Sequence, residues 1–494
     1  MVTVKNPIIW ADVPDPSVIR VNDTFYMSST TMHVNPGVPI MKSDDLVNWE
    51  IVNYVYDVLG DKEEQRLEKG KDEYGRGSWA SSLRYHNGIY YVVFSSQTEN
   101  KTFVFRTKDI EGGPWEKHVL PFVHDMSLLF DDDGRTYLVY GAGDIRILEL
   151  TAAGTAVKPN GLDQVIIPDS SAIAGPDIAL KAEGAHIHKI NGMYYIFLIT
   201  WPRGGIRTQL CYRAQTITGP WEGKVVLQEA GIAQGGLVDT PDGKWYALLF
   251  GDRGAVGRIP YLIPVTWQDG WPVLGVDGRV PEDTGLGPDR GIRIVASDEF
   301  DRPELGLVWQ WNHNPDDDNW SLTERPGYLR LRTGKISRDI TEARNSLTQR
   351  TFGPECSGEV ALEIDQMREG DYAGLAAFQK HYGFVGVKMT GRGKAIVMVD
   401  GSEGEQVEVE SVELAPGVSR VYLRIGCDFR QQKDLANFYY SLDGKEWTPI
   451  GRSLKMRYTL PHFMGYRFAL FNFASENPGG WVDFDYFRIS GGGR

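Results

Sequence analysis

The sequence predicts an all-β protein of two domains, a five-bladed β-propeller over residues 1–290 followed by an antiparallel, jelly-roll-like β-sandwich over residues 291–494. Three observations carry this. One hairpin pattern recurs five times in the N-terminal part, a stretch dense in Gly, Pro and Asp follows it, and the rest of the chain alternates apolar and polar residues with period two.

The five copies are SVIRVNDTFYMSST from Ser17, SLRYHNGIYYVVFSS from Ser82, SLLFDDDGRTYLVYG from Ser127, HIHKINGMYYIFLIT from His186 and GLVDTPDGKWYALLFG from Gly236. Each has Asn-Asp, Asn-Gly or Asp-Gly at its tip, residues that accept the positive φ of a tight hairpin turn. A weaker pattern follows some copies, as in KSDDLVNWEIV from Lys42, RTKDIEGGPWEKHVL from Arg106 and RAQTITGPWEGKVVL from Arg213. It reads as the outer strand pair that completes a sheet. The turns fall near positions 22, 87, 133, 191 and 242, about 45–65 residues apart. Four-stranded units of that size without helical periodicity are propeller blades, closed radially around a central channel.

From Trp271 to Arg293 the chain reads as a linker, because alternation stops and Gly, Pro and Asp crowd together. After it, runs such as YLRLRT, GEVALEID, GFVGVKM, RVYLRIGCDF and WVDFDYFRIS alternate strictly and are separated by turn residues. That is the signature of an antiparallel sandwich.

Composition removes several classes of function. With 52 Lys+Arg against 66 Asp+Glu the formal net charge is −14, and no basic cluster offers a footprint for nucleic acid or anionic lipid. No apolar run approaches the ~20 residues of a membrane-spanning helix, and the start MVTVKNPIIW has no signal-peptide character, which predicts a cytoplasmic protein. Cys211, Cys356 and Cys427 stand far apart, with neither zinc-ligand spacing nor a disulfide framework. Aromatic residues are 12% of the chain, enough to fill β-rich cores and still furnish stacking surfaces for sugars.

Three carboxylates stand where inner strands begin. Asp15 lies between Pro14 and Pro16 ahead of the first repeat, Asp125 precedes the third, and Glu183 precedes the fourth. Inner strands line the propeller axis, so equivalent positions on several blades converge. Convergent carboxylates suit glycoside hydrolysis, with one protonated acid and one ionised base. The same residue types before strands also cap turns or coordinate structural ions.

With NPIIWADVPDPSVIR, HDMSLLFDDDG, EGAHIHK, SWASSLRYHNGIYY and GGLVDTPDGKWYALLFGDRGAVGR in hand, the N-terminal part resembles glycoside hydrolase family 43. That resemblance implies a five-bladed propeller that inverts the anomeric carbon, with Asp15 as general base, Asp125 as the group that orients the acid and raises its pKa, and Glu183 as general acid. It also implies substrate contacts from Trp79 on the pocket wall, Arg253 on the terminal sugar and His33 at the rim. Gln234, expected to hold water or contact substrate, stands where many members place a histidine that holds a central ion or water cluster. The C-terminal part resembles the sandwich of the exo-acting, two-domain branch, which packs on the propeller and closes one side of the pocket. Such sandwiches commonly hold calcium, and SDEFDRP and VDFDYFRI offer Glu299, Asp301, Asp483 and Asp485, hard oxygen donors that also serve as ordinary turn carboxylates.

The resemblance therefore implies an exo-acting hydrolase that releases terminal xylose or arabinose from xylo- or arabino-oligosaccharides, with no cofactor for the chemistry and calcium as a structural ion. A non-catalytic carbohydrate-binding propeller and an endo-acting arabinanase are the alternatives. The oligomeric state is left open.

Overall fold

The computed structural model describes residues 3–491. Five four-stranded antiparallel sheets form the blades. Their inner strands are Ser17–Val21, Ser82–His86, Ser127–Phe130, Ile178–Ile190 and Ile232–Asp239. Blades one, two and four have two-residue turns, as Val21 pairs with Thr24, His86 with Ile89 and Ile190 with Met193. Asn22, Asn87 and Asn191 supply the positive φ there. In blades three and five the Asp-Gly pair sits in a longer loop, since Phe130 pairs with Thr136 and Asp239 with Trp245.

The serines that head the first three repeats hold neighbouring blades together. Ser17 Oγ accepts from Leu83 N, Ser82 Oγ from Leu128 N and Ser127 Oγ from Ile187 N, each at 3.0 Å. Each buried serine thus satisfies a backbone donor of the next inner strand, which no strand ladder can reach across a blade boundary. Arg84 runs through the same region, donating to Leu83 O, Leu128 O, Ser127 Oγ and Ile187 O.

The ring closes on the N-terminal segment. The fourth strand of blade five, Trp271–Leu274, covers only Val265–Gln268 of its neighbour. Residues ahead of blade one take the rest, with Ile8 N donating to Pro260 O and Val13 N to Arg258 O. This corrects the reading of a linker from Trp271: the strand is too short for its alternation to register. The chain beyond it packs back on blade one, where Asn48 Nδ2 donates to Pro288 O.

Two sheets form the sandwich. The first runs, in spatial order, through Gln310–Asn312, Leu347–Arg350, Arg467–Ala474, Asp371–Phe378, Gly383–Thr390, Gly393–Asp400 and Val407–Glu413. Its outer edge is capped by Val34–Asn35 from the propeller, so the two domains share a sheet. The second is built around Trp481–Gly491, Glu355–Glu363 and Arg420–Asp428. One continuous apolar cluster contains residues of both domains, among them Ile8, Val256, Trp309, Tyr466 and Phe468. At this junction the Asp12 carboxylate, 2% exposed, accepts from Arg258 N of blade five and from Gly465 N of the sandwich. Gly257 (φ 104°) and Gly465 are needed there, since a Cβ would lie 2.2 Å from Asp12 Oδ1 at the first and 2.3 Å from Val256 O at the second. Helical structure among the described residues is limited to short 3₁₀ turns.

Candidate active site

A cavity of about 730 Å³ opens where the inner strands of the propeller begin, and Asp15, Asp125, Glu183, Trp79 and Gln234 all line it. The backbone explains the convergence. Asp15 (φ 51°) and Asp125 (φ 45°) each stand two residues ahead of an inner strand in the left-handed region. Gly184 (φ 67°) and Gln234 (φ 62°) take the same hand where blades four and five carry bulges. Such conformations cost about 1–3 kcal/mol each for non-glycine residues and persist where surrounding packing enforces them, as at ligand sites. Asp tolerates them better than most residues.

Asp15 is 4% exposed and receives both contacts from one nitrogen of Arg258, with Nη1 at 2.9 Å from Oδ1 and 3.1 Å from Oδ2. Burial raises the Asp15 carboxyl above its ordinary range, the guanidinium opposes that rise, and Asp12 adds to it. Burial alone would lower Arg258, yet Asp15 and the other acidic groups around it hold it above its ordinary value. Arg258 also lies over the Phe463 ring at 4.5 Å and donates to Phe463 O at 3.3 Å, which anchors the pair to the sandwich.

Asp125 is pushed up to about 7 by burial, with repulsion from Glu183 and Asp15 adding to the rise and His124 and Arg258 opposing it. Glu183 Oε2 lies 2.8 Å from His124 Nε2, and the same nitrogen lies 3.7 Å from Asp125 Oδ2. Trp79 donates from Nε1 to Gly75 O at 3.1 Å and meets the His124 ring edge-on at 5.6 Å. Gln234 is held through its backbone N–H on Gln209 Oε1, and its side chain rests against Gly184, where a Cβ would lie 2.7 Å from Nε2.

The sandwich closes part of the cavity, through Leu460–Phe463, Arg338, Thr341, Glu342 and Lys380. The propeller loop around Leu67–Arg76 also lines it and packs on the sandwich, where Tyr74 Oη donates to Thr341 O.

Three expectations are corrected. Arg253 does not line the cavity: its guanidinium is consumed by Tyr261 Oη at 2.8 Å, Ala230 O at 3.1 Å and Asp252 O at 2.8 Å. Arg258, five residues on, is the arginine at the acids. His33 is 1% exposed and lies beneath the rim, packed against Tyr74, His313 and His462, with burial holding its pKa well down. Tyr74 and His462 reach the cavity in its place. The calcium donor set does not fit. Glu299 forms a two-pronged pair with Arg488, Asp485 pairs with Arg420, and Asp483 pairs with Arg330 and Arg325. Exposed Asp301 remains as a lone carboxylate, too few for a cation that takes 6–8 oxygens.

Sequence reasoning passed over His124 and Arg258. His124 stood inside the quoted HDMSLLF, and Arg258 opens RIPYLIPV, where a charge at the head of an apolar strand is itself a signal.

Fold and site together describe a five-bladed propeller that brings three carboxyl groups from different blades to one cavity. Residues 4–272 match the family model described as glycosyl hydrolases family 43, and residues 297–490 match the β-xylosidase C-terminal concanavalin A-like domain. The chain belongs to glycosyl hydrolase family 43 and is a glycosidase. It is 30% identical to a β-xylosidase of Formosa agariphila, an alignment covering 98% of this chain and 90% of that one. It is also 30% identical to a non-reducing end α-L-arabinofuranosidase of Bacteroides ovatus, covering 80% and 78%. Among solved structures, a bifunctional family 43 and CE protein of Bacteroides eggerthii superposes with a TM-score of 0.97 at 56% identity. That match covers 99% of this chain, which spans only 64% of the other.

Proposed function

We propose that the protein is an inverting exo-glycosidase that removes terminal xylose or arabinofuranose from the non-reducing ends of short oligosaccharides. The observation that carries this reading is the convergence of Asp15, Asp125 and Glu183 from three blades on one cavity that the sandwich walls on one side. The names of the relatives, a β-xylosidase and a non-reducing end α-L-arabinofuranosidase, support both sugars. Xylopyranose and arabinofuranose present similar hydroxyls, so one pocket accommodates either.

In this mechanism Asp15, kept ionic by Arg258, draws a proton from a water on one face of the sugar. Glu183 protonates the leaving oxygen on the other, and the oxocarbenium-like transition state collapses with inversion. Asp125, pushed up to about 7 and so about half protonated near neutral pH, orients the acid with less than a full second charge beside it. The carboxyl groups carry the chemistry, so no cofactor is required.

The test is hydrolysis of p-nitrophenyl β-D-xylopyranoside and p-nitrophenyl α-L-arabinofuranoside side by side, with terminal release from xylobiose and arabinobiose. Turnover of at least one pair, with monosaccharide as the sole early product, is expected. Internal cleavage of longer chains without early monosaccharide contradicts the exo reading.

A further inference from the structure

We infer that the junction between the two domains binds a chloride ion between the guanidinium groups of Arg350 and Arg467. Neither arginine lines the cavity of the three acids, so the ion stands apart from their chemistry.

Arg350 ends the strand Leu347–Arg350 and Arg467 begins the strand Arg467–Ala474, and the register sets the two residues directly opposite each other. Residues so opposed on an antiparallel pair project from the same face, and like charges in that relation repel. The face is turned to the propeller. Arg350 Nε donates to Asp12 O at 2.8 Å, and Gln310, which accepts from Arg467 Nη2 at 2.9 Å, itself donates to Pro36 O. Arg350 is 1% and Arg467 3% exposed. Burial, with the charge of Arg350 adding to it, brings Arg467 down to about 9, which still leaves a cation at neutral pH.

The acceptors these groups have are neutral. Arg467 Nη1 donates to Thr348 Oγ1 at 3.2 Å and Nη2 to the Gln310 amide oxygen, while Arg350 Nη1, Arg350 Nη2 and Arg467 Nε are buried with no hydrogen bond of ordinary geometry. Buried polar groups are normally satisfied, so three such donors on two facing side chains point to a ligand. The Tyr54 hydroxyl lies beside both guanidiniums, but it donates to Leu307 O, and burial raises its pKa, so it stays uncharged. Among the described residues no carboxylate stands within ion-pair distance of either arginine. Asp12 acts on Arg467 from further off, and its oxygens accept from Arg258 N and Gly465 N. Arg258 is matched by Asp15. Two buried guanidiniums therefore share one carboxylate, and an uncompensated buried charge is strongly destabilising.

One surplus positive charge calls for one monovalent anion. Three donor nitrogens on two planar forks suit a spherical acceptor that takes N–H bonds from any direction, whereas sulfate or phosphate carries more charge and more acceptor atoms than these groups match. Chloride meets both conditions. Bound there, it ties the strand pair of the sandwich to the N-terminal segment, because Arg350 holds Asp12 and Asp12 holds the backbone of Arg258 and Gly465.

The experiment exchanges the protein into sodium gluconate and records melting curves as chloride or bromide replaces gluconate at constant ionic strength. Crystals grown with bromide are measured at the bromine absorption edge. Expected is a saturable rise of about 2 °C or more in Tm with either halide, and an anomalous peak within hydrogen-bonding reach of both Arg350 and Arg467. Arg467→Met removes one charge and keeps most of the side chain's bulk, and it is expected to abolish the rise. Absence of a bromide peak at the two arginines overturns the inference, as does a Tm indifferent to halide or a rise that Arg467→Met leaves unchanged. If Arg467→Met does not fold, the wild-type titration and the bromide map decide the matter alone.

Discussion

Asp15→Asn lowers kcat by roughly 10²- to 10⁴-fold on oligosaccharides and on p-nitrophenyl glycosides alike, because no leaving group substitutes for the base that activates water. Asn preserves the shape of the side chain and removes its charge. The loss is therefore of chemistry, and KM is expected to move little. A second effect separates this residue from a surface carboxylate. Arg258 is 3% exposed and its Nη1 finds both its oxygens on Asp15. Neutralising one partner of a buried pair leaves the other charge uncompensated, at a cost of about 3–5 kcal/mol. The variant should thus melt measurably lower than the wild type while keeping its β-sheet circular dichroism. Retention of more than about a tenth of wild-type kcat contradicts the role of Asp15 as base.

Glu183→Ala gives the complementary pattern. Cleavage of xylobiose or arabinobiose is expected to fall by roughly 10²- to 10⁴-fold, because a sugar alkoxide leaves only when protonated. p-Nitrophenolate leaves without help, so the aryl glycosides should lose at least about tenfold less. The side chain is only partly buried, at 22% exposure, and hydrogen-bonds to His124, so the truncation leaves the propeller intact. Equal losses on both substrate types count against Glu183 as the acid.

The propeller was legible because its repeat is written in local chemistry. Asn22, Asn87 and Asn191 mark turns that need positive φ, and serines recur at 17, 82 and 127 because each joins one inner strand to the next. Asp15 and Asp125 were legible because each stands two residues ahead of an inner strand, whereas Glu183 falls inside the longer inner strand of blade four, at a bulge. What escaped depends on contacts between distant segments. Arg258 reaches Asp15 across 243 positions, whereas the guanidinium of Arg253, five residues earlier, folds back on Tyr261. His33 looks like a loop residue until Val34–Asn35 joins the sandwich sheet and draws it under the rim beside His313 and His462. The acidic residues at the two ends of the sandwich suggested calcium, but arginines brought beside them by the sheet, invisible to spacing, neutralise them.

The central claim is that a water held by Asp15 attacks the anomeric carbon directly, opposite the leaving group that Glu183 protonates. Proton NMR of the first-formed sugar during hydrolysis of p-nitrophenyl β-D-xylopyranoside tests it most directly. The α-anomer should appear first, with the β-anomer growing in only as mutarotation proceeds. The β-anomer appearing first would mean two displacements through a covalent intermediate and would contradict the assignment of Asp15 as a base.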